Sequence, residues 1–513
     1  MSAPAIQIAA TAPLDPAPID AASPGRGKRA LIPADTPRWL LFALAACLLV
    51  GLLRIGALYL HTPLIALANS YDEVRYSACL DLYPARAVMV PPTRNSPQAP
   101  YSRYQFIAAA NPICYWSSEL LFQGAAAAVY RLDAARTGAR DFSVRWIGAF
   151  KIIALLGIWL AFSVAWLRRR EPWSALANGL LLPILFADPA NTIYLNTFYA
   201  EWTAMLALYA VAGLILVHEG KPARGHAFGP LAIAASALAL SKIQHIVLPL
   251  GCAVAMLAIG RWRDRVWLWK GKALLLGALV GLVLQVVQLQ RDSEAIRAIN
   301  IFNRADVVFT ALLPNARDPA ATARRLGLSP QCLQYSGLHA WQMPGFPADL
   351  CPELADVTRT RELLILLREP DMTLRIGWHG LVALNPWLAP GLGLVERGDF
   401  ARLPPGFFSL SAPLSALPLL RVPLFGAPFL AVALLLWRQR WRAWPRLLTV
   451  SMLTVVVTLG TLTVTVLGDG LADVAKQGHL VYNAALAWWI ATLVVAARTL
   501  LARWRRRVSN QTP

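Results

Sequence analysis

WLLFALAACLLVGLL, residues 39–53, is an unbroken apolar run, and ALLLGALVGLVLQV at 273–286 is a second. A helix needs about 20 such residues to cross the hydrocarbon of a bilayer, and with their flanks these runs supply them. The rest of the 513-residue chain agrees: 57% of it is hydrophobic and only 15% charged, with a mean hydropathy of +0.49. A soluble fold cannot cover that much apolar side chain with so few charges. Short alternating segments, the mark of a membrane β-barrel, do not dominate. The composition therefore predicts an all-α polytopic membrane protein.

The net charge of +20 is concentrated in short tracts between the apolar runs: RGKR at 26–29, RRR at 168–170, RWRDR at 261–265, RQRWR at 438–442 and RWRRR at 503–507. No nucleic-acid reader module accompanies them, so nucleic acid is not an expected partner. Basic tracts flanking spans belong on the cytoplasmic side, against anionic lipid headgroups. Residues 1–37 are rich in Ala and Pro and precede a full-length apolar helix. They read as a disordered cytoplasmic tail ahead of an uncleaved first span.

About ten transmembrane spans satisfy hydropathy and charge together, near 38–60, 144–166, 173–187, 200–218, 226–241, 244–260, 272–289, 415–437, 447–467 and 478–500. With the N-terminus inside, the chain returns to the cytoplasm at every basic tract and at Lys221 and Arg224. The domain organisation expected is a 38–289 transmembrane module with a large outer loop at 61–143, an outer segment at 290–414, C-terminal helices at 415–500 and a cytoplasmic tail at 501–513. Loops of such length between spans usually fold. The stretch YWSSELLFQGAAAAVY at 115–130 is partly amphipathic and suits the bilayer surface. Both termini then fall in the cytoplasm.

Four of the six cysteines lie in these outer segments, Cys79 and Cys114 in the first and Cys332 and Cys351 in the second. One pair per segment in an oxidising compartment predicts two disulfides. Polar residues gather at the outer ends of the spans. NSYDEVRY (69–76) carries Asp72, Glu73 and Arg75; DPANTIYLNTFYAEW (188–202) carries Asp188, Asn191, Asn196, Tyr199 and Glu201. SKIQH (241–245) carries Lys242, Gln244 and His245, and GDGLADVAKQGHLVYN (468–483) carries Asp469, Asp473, Lys476, His479 and Asn483. Singly these fit turns, caps, snorkelling and interhelical hydrogen bonds. Together, ionisable groups at one membrane face are costly and mark function.

Such a site suits a substrate that is half lipid and half polar, with an apolar groove for the tail. Its phosphate needs Lys or Arg, for which Lys242, Arg75 and Arg304 are candidates. Moving a sugar from that phosphate needs a carboxylate to take the acceptor's proton, and Asp72 or Glu73 fits. A divalent cation is not required by any spacing, although Asp72, Glu73, Asp188 and Glu201 offer hard oxygen ligands.

The stretches NSYDEVRY, YLNTFYAEWTAM (194–205), SKIQ (241–244), DVVFTALLPNARDP (306–319) with LGLSP following, GFFSLSAPLS (406–415) and GDGLADVAKQGHLVYN resemble the GT-C superfamily of membrane glycosyltransferases, in particular a bacterial group that assembles cell-surface glycans. The resemblance spans most of 38–500. It implies a bacterial inner-membrane location, a polyprenyl-phosphate-linked sugar donor, a glycan or lipid acceptor, and Asp72 at the acidic position of the first outer loop; the chain lacks an Asp-Asp pair there. Two other classes compete. Arg304, Arg317, Arg324 and Arg325 would suit a polymerase or ligase of lipid-linked glycans. A transporter would show inverted repeats and polar groups near the midplane, and neither is evident.

Overall fold

The computed structural model describes residues 32–68, 70–85, 99–107, 114–138, 141–219, 225–262, 265–291, 293–384, 393–396, 402–437 and 444–509. The basic tracts at 26–29 and 438–442, most of the N-terminal tail, Asn69, Lys221 and Arg224 lie outside them.

Helix α1 (Arg38–Tyr59) leads into a short α2 (Ser70–Ser77), and the first outer segment closes with α3 (Leu120–Thr137). Then come α4 (Arg145–Arg168), α5 (Pro172–Leu181), the single turn α6 (Pro189–Thr192), α7 (Glu201–Val217), α8 (Gly225–Ser241), α9 (Val247–Trp262) and α10 (Leu268–Arg291). The second outer segment holds α11 (Ser293–Asp306), α12 (Leu313–Asn315), α13 (Pro319–Leu326), α14 (Pro347–Leu350), α15 (Arg359–Arg368) and α16 (Pro370–Ala383). The chain ends with α17 (Ser411–Ala416), α18 (Arg421–Trp437), α19 (Pro445–Asp469), α20 (Val474–Gln477) and α21 (His479–Ser509).

Among the described residues, six helical stretches are long and apolar enough to cross a membrane: Arg38–Tyr59, Arg145–Arg168, Ile243–Arg261, Leu268–Gln290, Pro445–Asp469 and His479–Val508. Four more apolar helices, Pro172–Phe186, Glu201–Val217, Ala227–Ser241 and Arg421–Trp437, coincide with the other expected spans but are shorter. Their shortness has local causes. Pro172 opens α5, and Asp188, whose side chain accepts from the Ala190 amide at 3.0 Å, starts a new turn just beyond its end. Lys242, in extended backbone (φ −147°, ψ 155°), separates α8 from the turn that begins α9.

The helical fold carries two small sheets as additions. Among the described residues, five short strands form them in the segments between spans. β1 (Ile65–Ala68) pairs antiparallel with β5 (Gly393–Val395), placing Ile65 opposite Val395. β2 (Leu82–Pro84), β3 (Arg103–Phe106) and β4 (Phe142–Ser143) form the other, with Leu82 opposite Phe106 and Arg103 opposite Ser143. Pieces of two to four residues are too short to show a period in the sequence. Both expected disulfides are present, Cys79–Cys114 and Cys332–Cys351. Cys47 and Cys252 are free and buried in the helices.

The main core joins α1, α4 and α5 to α7, α8 and α9, and a second apolar cluster fills the outer segment from Ala305 to Ile376. The bundle has two chemically different ends. At one, Arg170 pairs with Asp35 just before α1, and Arg446 at the start of α19 pairs with Glu171 and Glu219. At the other lie the end of α1, the start of α7, the break at Lys242 and the end of α19. The polar clusters belong to this second end.

Candidate functional site

Asp72 and Glu73 are neighbours in the first turn of α2 and face different surroundings. Lys476, on the one-turn helix α20, donates to Asp72 Oδ2 across 404 positions of sequence. Lys476 also pairs with Asp473 at 3.0 Å, and its ammonium lies 5.4 Å from the centre of the Tyr199 ring. Arg75 adds a second cation to Asp72 at 3.2 Å. Burial by itself would raise the Asp72 carboxyl, but Lys476, Arg75 and Lys242 outweigh it and hold the group well below the usual carboxylate range. Burial likewise opposes the charge on Lys476, and Asp473 and Asp72 keep it firmly protonated. Asp72 and Asp473 remain 22% and 30% exposed, whereas the lysine between them is 4% exposed. The opening of the site is therefore at the carboxylates.

Glu73 points the other way. It is buried, receives a hydrogen bond from the Tyr104 hydroxyl at 3.3 Å, and burial pushes its carboxyl up to about 8. One residue apart, the acidic pair divides into an anion and a neutral acid.

The other clusters close around Lys476. Lys242 donates to Glu201 at the head of α7. Gln244 donates to Gln477 at 2.8 Å, and Gln477 donates to Asp469 at 2.6 Å. Asp306 lies against Asp469; burial and that facing carboxyl push Asp306 above the usual carboxylate range, while the Ala340 amide donates to it at 2.6 Å. This approach depends on Gly470, which ends α19 at φ +60°. A Cβ there would sit 2.3 Å from the Asp306 carbonyl oxygen.

Of the residues singled out in sequence, Asp72, Arg75, Tyr199, Glu201, Lys242, Gln244, Asp469 and Lys476 thus form one connected network. His479 packs against Tyr194, with ring centres 5.5 Å apart, at its edge. The rest are engaged elsewhere. Asn483 and Asn191 exchange amide hydrogen bonds of 2.7 and 2.9 Å, tying α6 to α21. Asn196 donates to the Tyr59 carbonyl at 3.2 Å, fastening the end of α1. Asp188 accepts from Ser409 at 2.9 Å and from the Leu410 amide at 2.8 Å, and so anchors the GFFSLSAPLS stretch.

Arg304 donates to the Leu354 and Ala355 carbonyls, braces the outer segment and is not brought to the network. Arg317 and Arg325 pair with Asp371 and Glu369. The four carboxylates considered as metal ligands each have different partners and do not converge. Among the described residues the one group with metal-like spacing is Cys332, Cys351 and Glu353, and there both sulfurs are committed to a disulfide.

Residues 89–346, just over half of the chain, match the YfdI N-terminal transmembrane domain. The chain belongs to that family. No curated protein and no solved structure matches it. The YfdI-type domain supplies Tyr199, Glu201, Lys242, Gln244 and Asp306, while Asp72 precedes the matched stretch and Lys476 follows it.

Beneath the network lies a buried pair outside the four polar clusters. Lys151, inside α4, meets Glu119 at 2.8 Å with both side chains fully buried. Its ammonium also donates to the carbonyls of Tyr194, Thr197 and Tyr199 at 3.1, 3.0 and 3.4 Å. Thr203 donates to the other Glu119 oxygen. The signal was available: a lone lysine in an otherwise apolar span demands a partner.

Proposed function

We propose that this membrane protein is a glycosyltransferase of GT-C type. It transfers a sugar from a polyprenyl-phosphate donor to a cell-envelope glycan or lipid acceptor, at the outer face of a bacterial inner membrane, with both termini in the cytoplasm. The observation that carries this reading is the meeting of Asp72, Lys476, Arg75 and Lys242 at one end of an apolar helical bundle.

The chemistry follows from these groups. Without substrate, the carboxylates neutralise the cations. A donor phosphate offers Lys476, Lys242 and Arg75 a stronger acceptor than a single carboxylate oxygen does. Asp72 then loses its partners, its affinity for a proton rises, and it becomes a usable base. The acceptor hydroxyl loses its proton to Asp72 as its oxygen attacks the anomeric carbon. The bond from that carbon to the phosphate oxygen breaks, the configuration inverts, and the lipid phosphate leaves with its added charge on the cations. Glu73, neutral and enclosed, takes no part in this step.

The test is transfer by the purified chain in nanodiscs, given a polyprenyl-phosphate monosaccharide and an envelope acceptor. Release of polyprenyl phosphate is expected, and its loss in a folded Asp72→Asn variant. Full transfer by Asp72→Asn would remove the base assignment. Turnover only of an oligosaccharide-diphosphate lipid would replace the reading with that of a ligase.

A further inference from the structure

Helix α16 is apolar on two opposite sides. Met372, Ile376 and Gly380 form a buried stripe, and Leu374, Trp378 and Val382 form a second, displaced by half a turn and exposed. Leu374 is 75% exposed and Trp378 55%. A water-facing helix does not carry such a stripe without a partner.

The buried stripe fixes where α16 sits. A Cβ on Gly380 would touch Leu462 and Val466 of α19, and Leu384 just past α16 packs on Gly478 beside α20. Leu462 and Val466 lie within the last two turns of α19, about 5 to 10 Å from its end at Asp469. A 25-residue helix is about 37 Å long against about 30 Å of hydrocarbon, so these turns stand at the boundary of the outer leaflet. A helix lying on α19 there has its far side against lipid. The exposed stripe is continuous with the lipid-facing surface of the bundle through Arg421 at the start of α18, which donates to the Val382 carbonyl. Beside it α15 turns Leu363, Leu364 and Leu367 outward.

The rim is basic. Where α15 meets α16, Glu369 and Asp371 are held by Arg325 and Arg317, and Arg324 and Arg368 are exposed next to them. This places the arginine-rich outer segment at headgroup height, where anionic headgroups are its complement.

We propose that α15 and α16 form an in-plane anchor that seats the second outer segment in the outer leaflet, with the arginine corner binding anionic lipid headgroups. The proposal takes the membrane orientation from the reading above and does not depend on the chemistry at Asp72. It is tested on the full chain in vesicles, with Cys47→Ala and Cys252→Ala removing the free thiols. Single spin labels are placed through Leu374→Cys, Trp378→Cys or Val382→Cys, with Asp356→Cys, at an exposed position in the turn between α14 and α15, as the control. All three stripe labels are expected to collide several-fold more with oxygen than with an aqueous relaxing agent, and the control the reverse. Adding phosphatidylglycerol to phosphatidylcholine vesicles should deepen the stripe, and Arg324→Gln with Arg368→Gln should remove that response. Stripe labels as wet as the control in every lipid would overturn the anchor. So would stripe labels shielded only on adding a soluble anionic polysaccharide such as polygalacturonate. A stripe depth indifferent to phosphatidylglycerol in the unaltered corner would overturn the headgroup assignment.

Discussion

Lys151 and Lys476 each meet a carboxylate from a distant part of the chain, and their surroundings differ in almost every other respect. Lys151 and Glu119 are sealed, with neither side chain exposed, and the lysine's remaining hydrogen bonds go to backbone carbonyls of the 194–199 stretch. Lys476 is shared among Asp72, Asp473 and the face of Tyr199, and two of those partners reach the surface. A sealed pair cannot exchange its partner without unfolding and serves to hold a shape. A shared, half-open cation can trade a carboxylate for a phosphate.

The largest effect that sharpens this contrast is on rate. Asp72→Asn should lower transfer by about 10²–10⁴-fold, with the melting temperature close to that of the parent. A variant that melts early instead would make the open network structural too. Next comes Lys151→Met, which strands Glu119 as an unpaired buried carboxyl and should cost about 3–5 kcal/mol. Thermal melting in detergent measures it. The double variant Glu119→Leu with Lys151→Met should recover most of the loss, because removing both charges removes the stranded one. No recovery would mean that the carbonyl contacts, not the ion pair, hold the 194–199 stretch.

Smaller again is Arg304→Ala, expected to cost about 1 kcal/mol through its lost carbonyl contacts and to leave the rate unchanged. A large loss of transfer would return Arg304 to the phosphate site.

The smallest change is expected of Glu73→Gln, and it is one of pH dependence. The folded carboxyl is held up to about 8 against an ordinary value of 4.5. Below the ordinary value both folded and unfolded chains are protonated. As pH rises from there toward 8 the unfolded chain ionises first, so stability falls across that window. Glu73→Gln should flatten the decline while transfer persists. An unchanged pH profile of melting would show that Glu73 is ionised in the fold.

Much of this was legible in the sequence, and the omissions have physical reasons. The apolar runs and the basic tracts are local signals, so the helices fall where they were expected. The four polar clusters were visible because charge beside an apolar run is conspicuous. Their pairing was not, since no spacing rule connects Asp72 to Lys476 or Lys242 to Glu201 over such distances. The carbonyl partners of Arg304 were not legible, because an arginine in such a loop looks the same in sequence whether it meets a ligand or two carbonyls. Glu73 and Asp72 were inseparable until α2 turned one toward Lys476 and the other toward Tyr104.

The 404 positions between Asp72 and Lys476 have a consequence in time. At a synthesis rate of about 5–20 residues per second, Asp72 emerges roughly 20–80 s before its partner exists. Throughout that interval the half-made protein carries Asp72 with Arg75 beside it, but not Lys476, which donates to it in the finished fold. The cluster of charges is complete only once Lys476 has been made and α21 follows it into place.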